Sequence, residues 1–215
     1  MTIKETSNYL RLKENLEYLK LKQFILHIDE QIADRNTSLI ESLLKLTDYE
    51  VDTKRVNAAN QMVKTAAFPA LKDISSFDFS FQPSIDERQI KDLCQLGFLE
   101  NNENIVFLGS SGVGKTHLSI SIGIEAARQR YSTYFIKCSN LLENLKKAQD
   151  ENRLEARLKH YASYKLLIID ELGYLPINEG DERLLFQLID RRYEKKSVNV
   201  NPKLVHSYYR KVAHI

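Results

Sequence analysis

Gly109-Ser110-Ser111-Gly112-Val113-Gly114-Lys115-Thr116 fits the pattern G-x-x-x-x-G-K-[ST], a loop whose backbone N–H groups cradle a phosphate chain. Such a loop delivers the phosphates to a helix start, where unpaired amides and the helix dipole favour negative charge. Its glycines allow a tight turn and a close approach to the ligand. In this reading Lys115 reaches the β- and γ-phosphates and the Thr116 hydroxyl ligates Mg²⁺. His117 follows in the helix and completes the candidate nucleotide-contacting set.

The flanks supply the context that the motif requires. Ile105-Val106-Phe107-Leu108 is an apolar, β-prone run before the loop. Leu118, Ile122, Ile124 and Ala126 follow in a Pro-free stretch that reads as a helix. Strand, glycine loop and helix together point to a nucleoside triphosphate site.

Further along, Leu166-Leu167-Ile168-Ile169 is a continuous apolar run suited to a central parallel strand covered on both faces. It ends in Asp170-Glu171. An Asp in that place can hold Mg²⁺ opposite Thr116, and Glu171 can orient and deprotonate the attacking water. The candidate catalytic residues are therefore Lys115 and Glu171, and the candidate metal ligands are Thr116 and Asp170.

Tyr134-Phe135-Ile136 reads as another strand. Ser139 or Asn140 is the expected cap of a helix carrying Leu141, Leu142 and Leu145, which breaks near Asp150 and resumes towards Tyr161. Gly173, Pro176 and Gly180 mark a loop, and Leu184, Leu185, Leu188 and Ile189 a further helix. Strands alternating with helices imply an α/β fold, a P-loop NTPase core built on a parallel sheet.

Upstream, Tyr9 to Ala67 contains neither Gly nor Pro. Leu12, Leu16, Leu19, Gln23 and Leu26 trace one stripe, widened by Leu21, Phe24, Ile25, Ile28 and Ile32. Asp34 to Thr37 interrupts it, and a second stripe runs through Leu39, Leu43, Leu46 and Val51, followed by a helical stretch to Met62 and Val63. The expectation is a small module of about three helices. Its stripes serve either core or interdomain packing, or docking of a partner or of DNA. Between the module and the core, Phe68-Pro69 breaks the helix, and Phe77, Phe79 and Phe81 alternate as on one face of an extended segment. That segment lies against the core, or part of it packs near the adenine. Ser84-Ile85-Asp86-Glu87 reads as a helix start.

The chain of 215 residues carries 31 Lys and Arg against 29 Asp and Glu, so its charge does not mark it as a nucleic-acid binder. Arg191, Arg192, Lys195, Lys196, Lys203, Arg210 and Lys211 form a basic end suited to phosphate backbones or to a solvated tail. Cys94 and Cys138 fit two reduced thiols of a cytoplasmic protein. The first residues carry no apolar signal, and no run is long enough to span a membrane.

Phe68 to Lys72, Phe77 to Pro83, Gly109 to Leu118, Leu166 to Pro176 (LLIIDELGYLP) and Leu184 to Glu194 (LLFQLIDRRYE) together resemble the IstB family. These are AAA+ ATPase helpers of insertion-sequence transposition, related to the helicase loader DnaC. The resemblance implies ATP and Mg²⁺ as ligands. It matches Gly109, Gly112, Gly114, Lys115 and Thr116 to the nucleotide loop, Asp170 to the metal-positioning acid and Glu171 to the catalytic glutamate. It further implies assembly as an ATP-dependent homo-oligomer on double-stranded DNA, with a transposase as partner.

The resemblance is expected to stop after Val198. Asn199-Val200-Asn201-Pro202 is poor material for the fourth strand that family members carry, and a displaced sensor at Asn201 is only the lesser alternative to a missing one. The expected layout is thus a helical module (1–67), a linker (68–83), a core incomplete at its C-terminus (84–198) and an aberrant basic tail (199–215). A chain truncated in this way lacks the sensor, arginine finger and lid, so impaired hydrolysis is expected. The alternative is a non-catalytic adaptor for a transposase or an intact paralogue, with nucleotide as a structural ligand.

Overall fold

The apolar runs around the glycine loop assemble into one parallel sheet in the computed structural model, which describes residues 3–34, 36–81, 83, 85–172, 179–193, 195–202 and 211–214. The strands are β1 (Ile105–Leu108), β2 (Thr133–Lys137), β3 (Leu166–Leu172), β4 (Ser197–Pro202) and β5 (Lys211–His214), in the order β2-β3-β4-β1-β5. Every pairing is parallel.

β4 corrects the expectation that the sheet ends at Val198. It sits between β3 and β1, with Asn199 opposite both Ile168 and Ile105 and Val200 opposite both Ile169 and Val106. Two flanking strands satisfy its backbone, and this outweighs the weak β-propensity of asparagine. Pro202 closes the strand, a position where its missing N–H costs least. Lys211, expected in a loose tail, belongs to β5 and pairs with Ile105. Lys203 and Arg210 lie outside the described residues, as do Ser84, Gln82, Glu194, Gly173 and Pro176.

The region from Ala59 onwards forms a compact unit. Alternation along β3 divides its core into two layers. Leu166 and Ile168 face a cluster with Ile90, Phe98, Ile105, Phe107, Leu118 and Ile122. Leu167 and Ile169 face the opposite cluster, with Leu141, Leu145, Leu158, Leu184, Leu188 and Val198. That period-two division is what a strand covered on both faces produces.

The helices of this unit follow the sequence reading with local differences. α4 (Glu87–Cys94) is capped by Asp86, whose carboxylate accepts from the Arg88 and Gln89 N–H groups at 2.9 and 3.2 Å. The short α5 (Gly97–Glu100) follows, then α6 (Lys115–Arg128) after the loop. α7 (Cys138–Asp150) begins directly off β2 with Lys137 as its cap residue and no side-chain cap, so neither Ser139 nor Asn140 fills that role. α8 (Leu154–Ser163) resumes after a turn in which Asn152 takes a φ of 55°. Gly180 lies inside α9 (Glu179–Arg192), not in the preceding loop.

The Phe77–Phe79–Phe81 alternation does not mark an extended segment. Ile74–Ser76 and Phe79–Phe81 are short 3-10 turns. Phe77 and Phe79 pack edge to face at 4.9 Å against the core, while Phe81 is exposed.

Residues up to Ala58 form a second unit, so the division falls at Ala58/Ala59 rather than after Ala67. Ala66 is fully buried, and its carbonyl accepts the Phe135 N–H of edge strand β2 at 2.8 Å, which ties this stretch to the sheet. The first stripe breaks into α1 (Ile3–Tyr18) and α2 (Lys22–Ala33) around Lys20, whose φ is 58°. The two later helical stretches form one helix, α3 (Leu39–Thr65), opened by a capping box. Glu41 accepts the Ser38 N–H at 2.9 Å, and Ser38 Oγ accepts the Glu41 N–H at 3.2 Å. Only Leu16, Ile28 and Leu46 of the stripes are buried. No described helix is long and apolar enough to cross a membrane.

Candidate functional site

The loop after β1 closes into a cradle through two left-handed residues, Gly112 (φ 85°) and Gly114 (φ 98°). Gly114 is required twice over, because a Cβ there would stand 2.6 Å from Phe77 Cε2. Phe77 in turn meets the His117 ring edge to face at 5.1 Å. The segment before the core therefore presses directly on the loop.

Lys115 is buried at the first position of α6, and its ammonium donates to the carbonyls of Gly109 (2.9 Å) and Ser110 (2.6 Å). A phosphate chain in the cradle competes with these carbonyls for a charge aimed into the loop. Thr116 Oγ1 donates to Asp170, 2.9 Å from Oδ2 and 3.1 Å from Oδ1. Asp170 is 2% exposed, so this pair brings together the helix start and the end of β3 across 54 residues of sequence. A hydroxyl and a carboxylate are the hard oxygen donors that Mg²⁺ selects, and the ion ordinarily keeps water and phosphate oxygens as its other ligands. The donor set fits.

Strand alternation would send Asp170 and Glu171 to opposite faces of the sheet. A bulge between Ile169 and Leu172, with Glu171 at φ 59°, turns the chain so that both carboxylates line one cavity. Glu171 Oε1 there accepts from Lys137 Nζ at 2.7 Å. That hydrogen bond, and then the charge of Glu171, hold the Lys137 pKa above its ordinary value. Lys137 lies at the end of β2, opposite Asp170 in the pairing.

The cavity, about 490 Å³, is lined by Ser111, Gly112, Gly114, Lys115, Thr116 and His117 from the loop and helix, and by Asp170 and Glu171 from β3. Lys72 completes its wall. Gly109 and Ser110 engage through the Lys115 ammonium, and Val113 is not among the lining residues. Sequence reading did not name Lys72, Phe77 or Lys137 as site residues, because none belongs to the glycine loop or to the strand that ends in two carboxylates. The FDFSF run was the only available sign that something aromatic approaches the loop.

The two arginines at the end of α9 are engaged within the fold. Arg191 makes a two-pronged contact with Glu155, both distances being 2.6 Å. Arg192 is buried and donates to the carbonyls of Tyr161, Tyr164, Lys165 and Ser197. Neither arginine lines the cavity.

Comparison with known proteins places these features in a family. Residues 14–212 match the family model described as IstB-like ATP binding protein. The match runs past Val198, where the resemblance was expected to stop. The ATP-binding protein of insertion sequence IS232 from Bacillus thuringiensis subsp. berliner is 54% identical, covering 97% of this chain and 90% of that protein. Its counterpart in insertion sequence IS5376 of Geobacillus stearothermophilus is 43% identical, covering 77% of this chain and 66% of its own length. Among solved structures, AMPPCP-bound DnaA from Aquifex aeolicus superposes with a TM-score of 0.54 at 18% identity, over 63% of this chain and 43% of that one. That likeness shows an AAA+ type P-loop NTPase fold. By the family match and by these relatives, this chain belongs to the IstB-like ATP-binding proteins of insertion sequences.

Proposed function

We propose that this chain binds ATP with Mg²⁺ and serves in the cytoplasm as the nucleotide-dependent helper of an insertion-sequence transposase. The Thr116–Asp170 contact at the mouth of the glycine loop carries this reading, since it joins the two elements that must share a metal. Thr116 and Asp170 would hold Mg²⁺, which neutralises charge on the phosphate oxygens. The N–H groups of Gly112, Gly114 and Lys115 bind the phosphate chain, and Lys115 places a positive charge against it. Glu171 orients the attacking water and takes its proton. The β4 register sets Asn201 between Val200, opposite Ile169, and Pro202, opposite Leu172. Asn201 is thereby level with the two carboxylates and is our candidate for the polar sensor.

Hydrolysis by the isolated chain is slow in this reading. Glu171 is engaged by Lys137, and among the described residues no arginine lines the cavity. An arginine supplied to a phosphoryl-transfer site is worth about 10³–10⁵ in rate. Double-stranded DNA, the transposase and further copies of this chain are the proposed partners. The printed names of the relatives support an insertion-sequence role. The second reading, a non-catalytic adaptor, draws on Leu19, Leu26, Leu39 and Ile40, all more than half exposed on the α1–α2 turn, α2 and α3.

Isothermal titration with MgATP tests the assignment. Lys115→Ala removes a charge-assisted contact and is expected to weaken binding about ten- to a hundredfold. Equal affinity in both proteins would remove the glycine loop from nucleotide binding.

A further inference from the structure

Lys72 lies outside the glycine loop and β3, yet it lines the same cavity as Lys115, Thr116, Asp170 and Glu171. We infer that Lys72 is a second phosphate-binding cation of this site, reaching the α- and β-phosphates of the nucleotide from the His117 flank of α6. This rests on the nucleotide reading proposed above.

The main chain at Lys72 is pinned to the flank of α6. Its carbonyl accepts from Ser121 Oγ at 2.8 Å, and Ser121 lies one turn beyond His117, to whose carbonyl the same hydroxyl donates at 3.0 Å. The next residue, Asp73, is held on the same flank. Its carboxylate pairs with Arg128 at 2.6 Å, and its carbonyl lies 3.3 Å from His117 Nε2. Thr116 points the other way, towards Asp170. Successive residues of a helix are about 100° apart, so Lys72 and His117 line a different part of the cavity wall from Thr116 and Asp170. The terminal phosphate and the metal belong on the Asp170 wall, which leaves the inner phosphates within reach of Lys72.

Charge points the same way. Lys72 is half-buried. The carboxylates around it are already engaged: Asp73 by Arg128, Glu171 by Lys137 and Asp170 by Thr116. Among the described residues no carboxylate lies within ion-pair distance of the Lys72 ammonium. A phosphate chain in that cavity would supply this ammonium with a counter-ion.

Calorimetric titration of the full chain with MgATP and, separately, MgADP tests this. Lys72→Ala is expected to weaken both nucleotides by the same factor, about five- to tenfold for a half-exposed charge-assisted contact. Lys72→Arg, which restores the cation, should lie within about twofold of the unaltered chain. If Lys72→Ala melts before titration, Lys72→Gln keeps the stem against α6 and takes its place. Unchanged affinity for both nucleotides would overturn the inference. So would a loss confined to ATP, which would put Lys72 at the terminal phosphate. Failure of the unaltered chain to bind either nucleotide would instead overturn the nucleotide reading itself.

Discussion

Lys137 Nζ lies 2.7 Å from Glu171 Oε1, so the carboxylate at the end of β3 is tethered to the neighbouring strand by a residue that is not part of the phosphate loop. The pair is about half-exposed on both sides. It is therefore a weak tether, and a bound water or partner can release it. While that contact holds, Glu171 Oε1 is occupied by an ammonium, and in the role proposed for it the carboxylate has to leave Lys137 to orient a water.

Lys137→Ala should consequently raise single-turnover ATP hydrolysis, by no more than about fivefold given the ~0.2–1 kcal/mol of an exposed pair. MgATP affinity should stay unchanged, because Lys137 does not line the cavity. A phosphate-release assay beside a binding titration reads both. A fall in rate would show that Lys137 positions Glu171 for attack.

Gly114→Ala combines two penalties. The left-handed backbone at φ 98° costs a non-glycine residue about 1–2 kcal/mol. The added methyl also meets Phe77. Reduced melting temperature and weakened ATP binding are expected together. Adding Phe77→Ala removes the clash but not the backbone strain, so it should recover only part of the loss. Full recovery in thermal melts would show that φ plays no part.

Arg192 joins the end of α9 to the end of α8 and the starts of β3 and β4 through carbonyls alone. Those oxygens favour its charged form against the burial that lowers its pKa. Arg192→Leu leaves several buried carbonyls without donors, each costing about 1–3 kcal/mol. Urea denaturation should show a loss of about 3 kcal/mol or more. Arg192→Lys should rescue little, because an ammonium lacks the planar fork.

The Cys138 thiol is almost fully buried, and burial raises its pKa to about 11 from 9.0, with Asp181 adding a smaller push. The folded protein therefore holds this proton more tightly than the unfolded chain. The resulting contribution to stability is fully present below pH 9.0 and is lost as pH rises towards about 11. Denaturation midpoints across that range should fall less steeply for Cys138→Ala than for the unaltered chain. Parallel slopes would show that the thiol ionises alike in both states.

Much of the site was readable from residues 105–128 and 166–171 alone. Strand, loop and helix are local structures, and local spacing puts Lys115 and Thr116 at a helix start. The apolar run of β3 likewise announced a strand covered on both faces, and the two core layers agree. Helix breaks were harder to read. The turn at Lys20 rests on one left-handed residue within an unbroken apolar stripe, and periodicity carries no record of it.

Tertiary structure alone decided the rest, because those features depend on partners far apart in sequence. Asn199 to Pro202 read as a poor strand, but β1 and β3 on either side supply the hydrogen bonds that propensity does not count. No sequence rule makes Glu171 share a cavity with Asp170. The bulge at the end of β3 does so, and Lys137 enters from β2 only because those two strands are neighbours. Lys72 and Phe77 reach the glycine loop because their segment is tied to α6 through Ser121 and His117. Local sequence determined that a glycine loop opens a helix at Lys115 and that an apolar strand runs into two successive carboxylates. The packing of the chain determined which others stand beside them, since contacts across 40 or more residues leave no periodic trace.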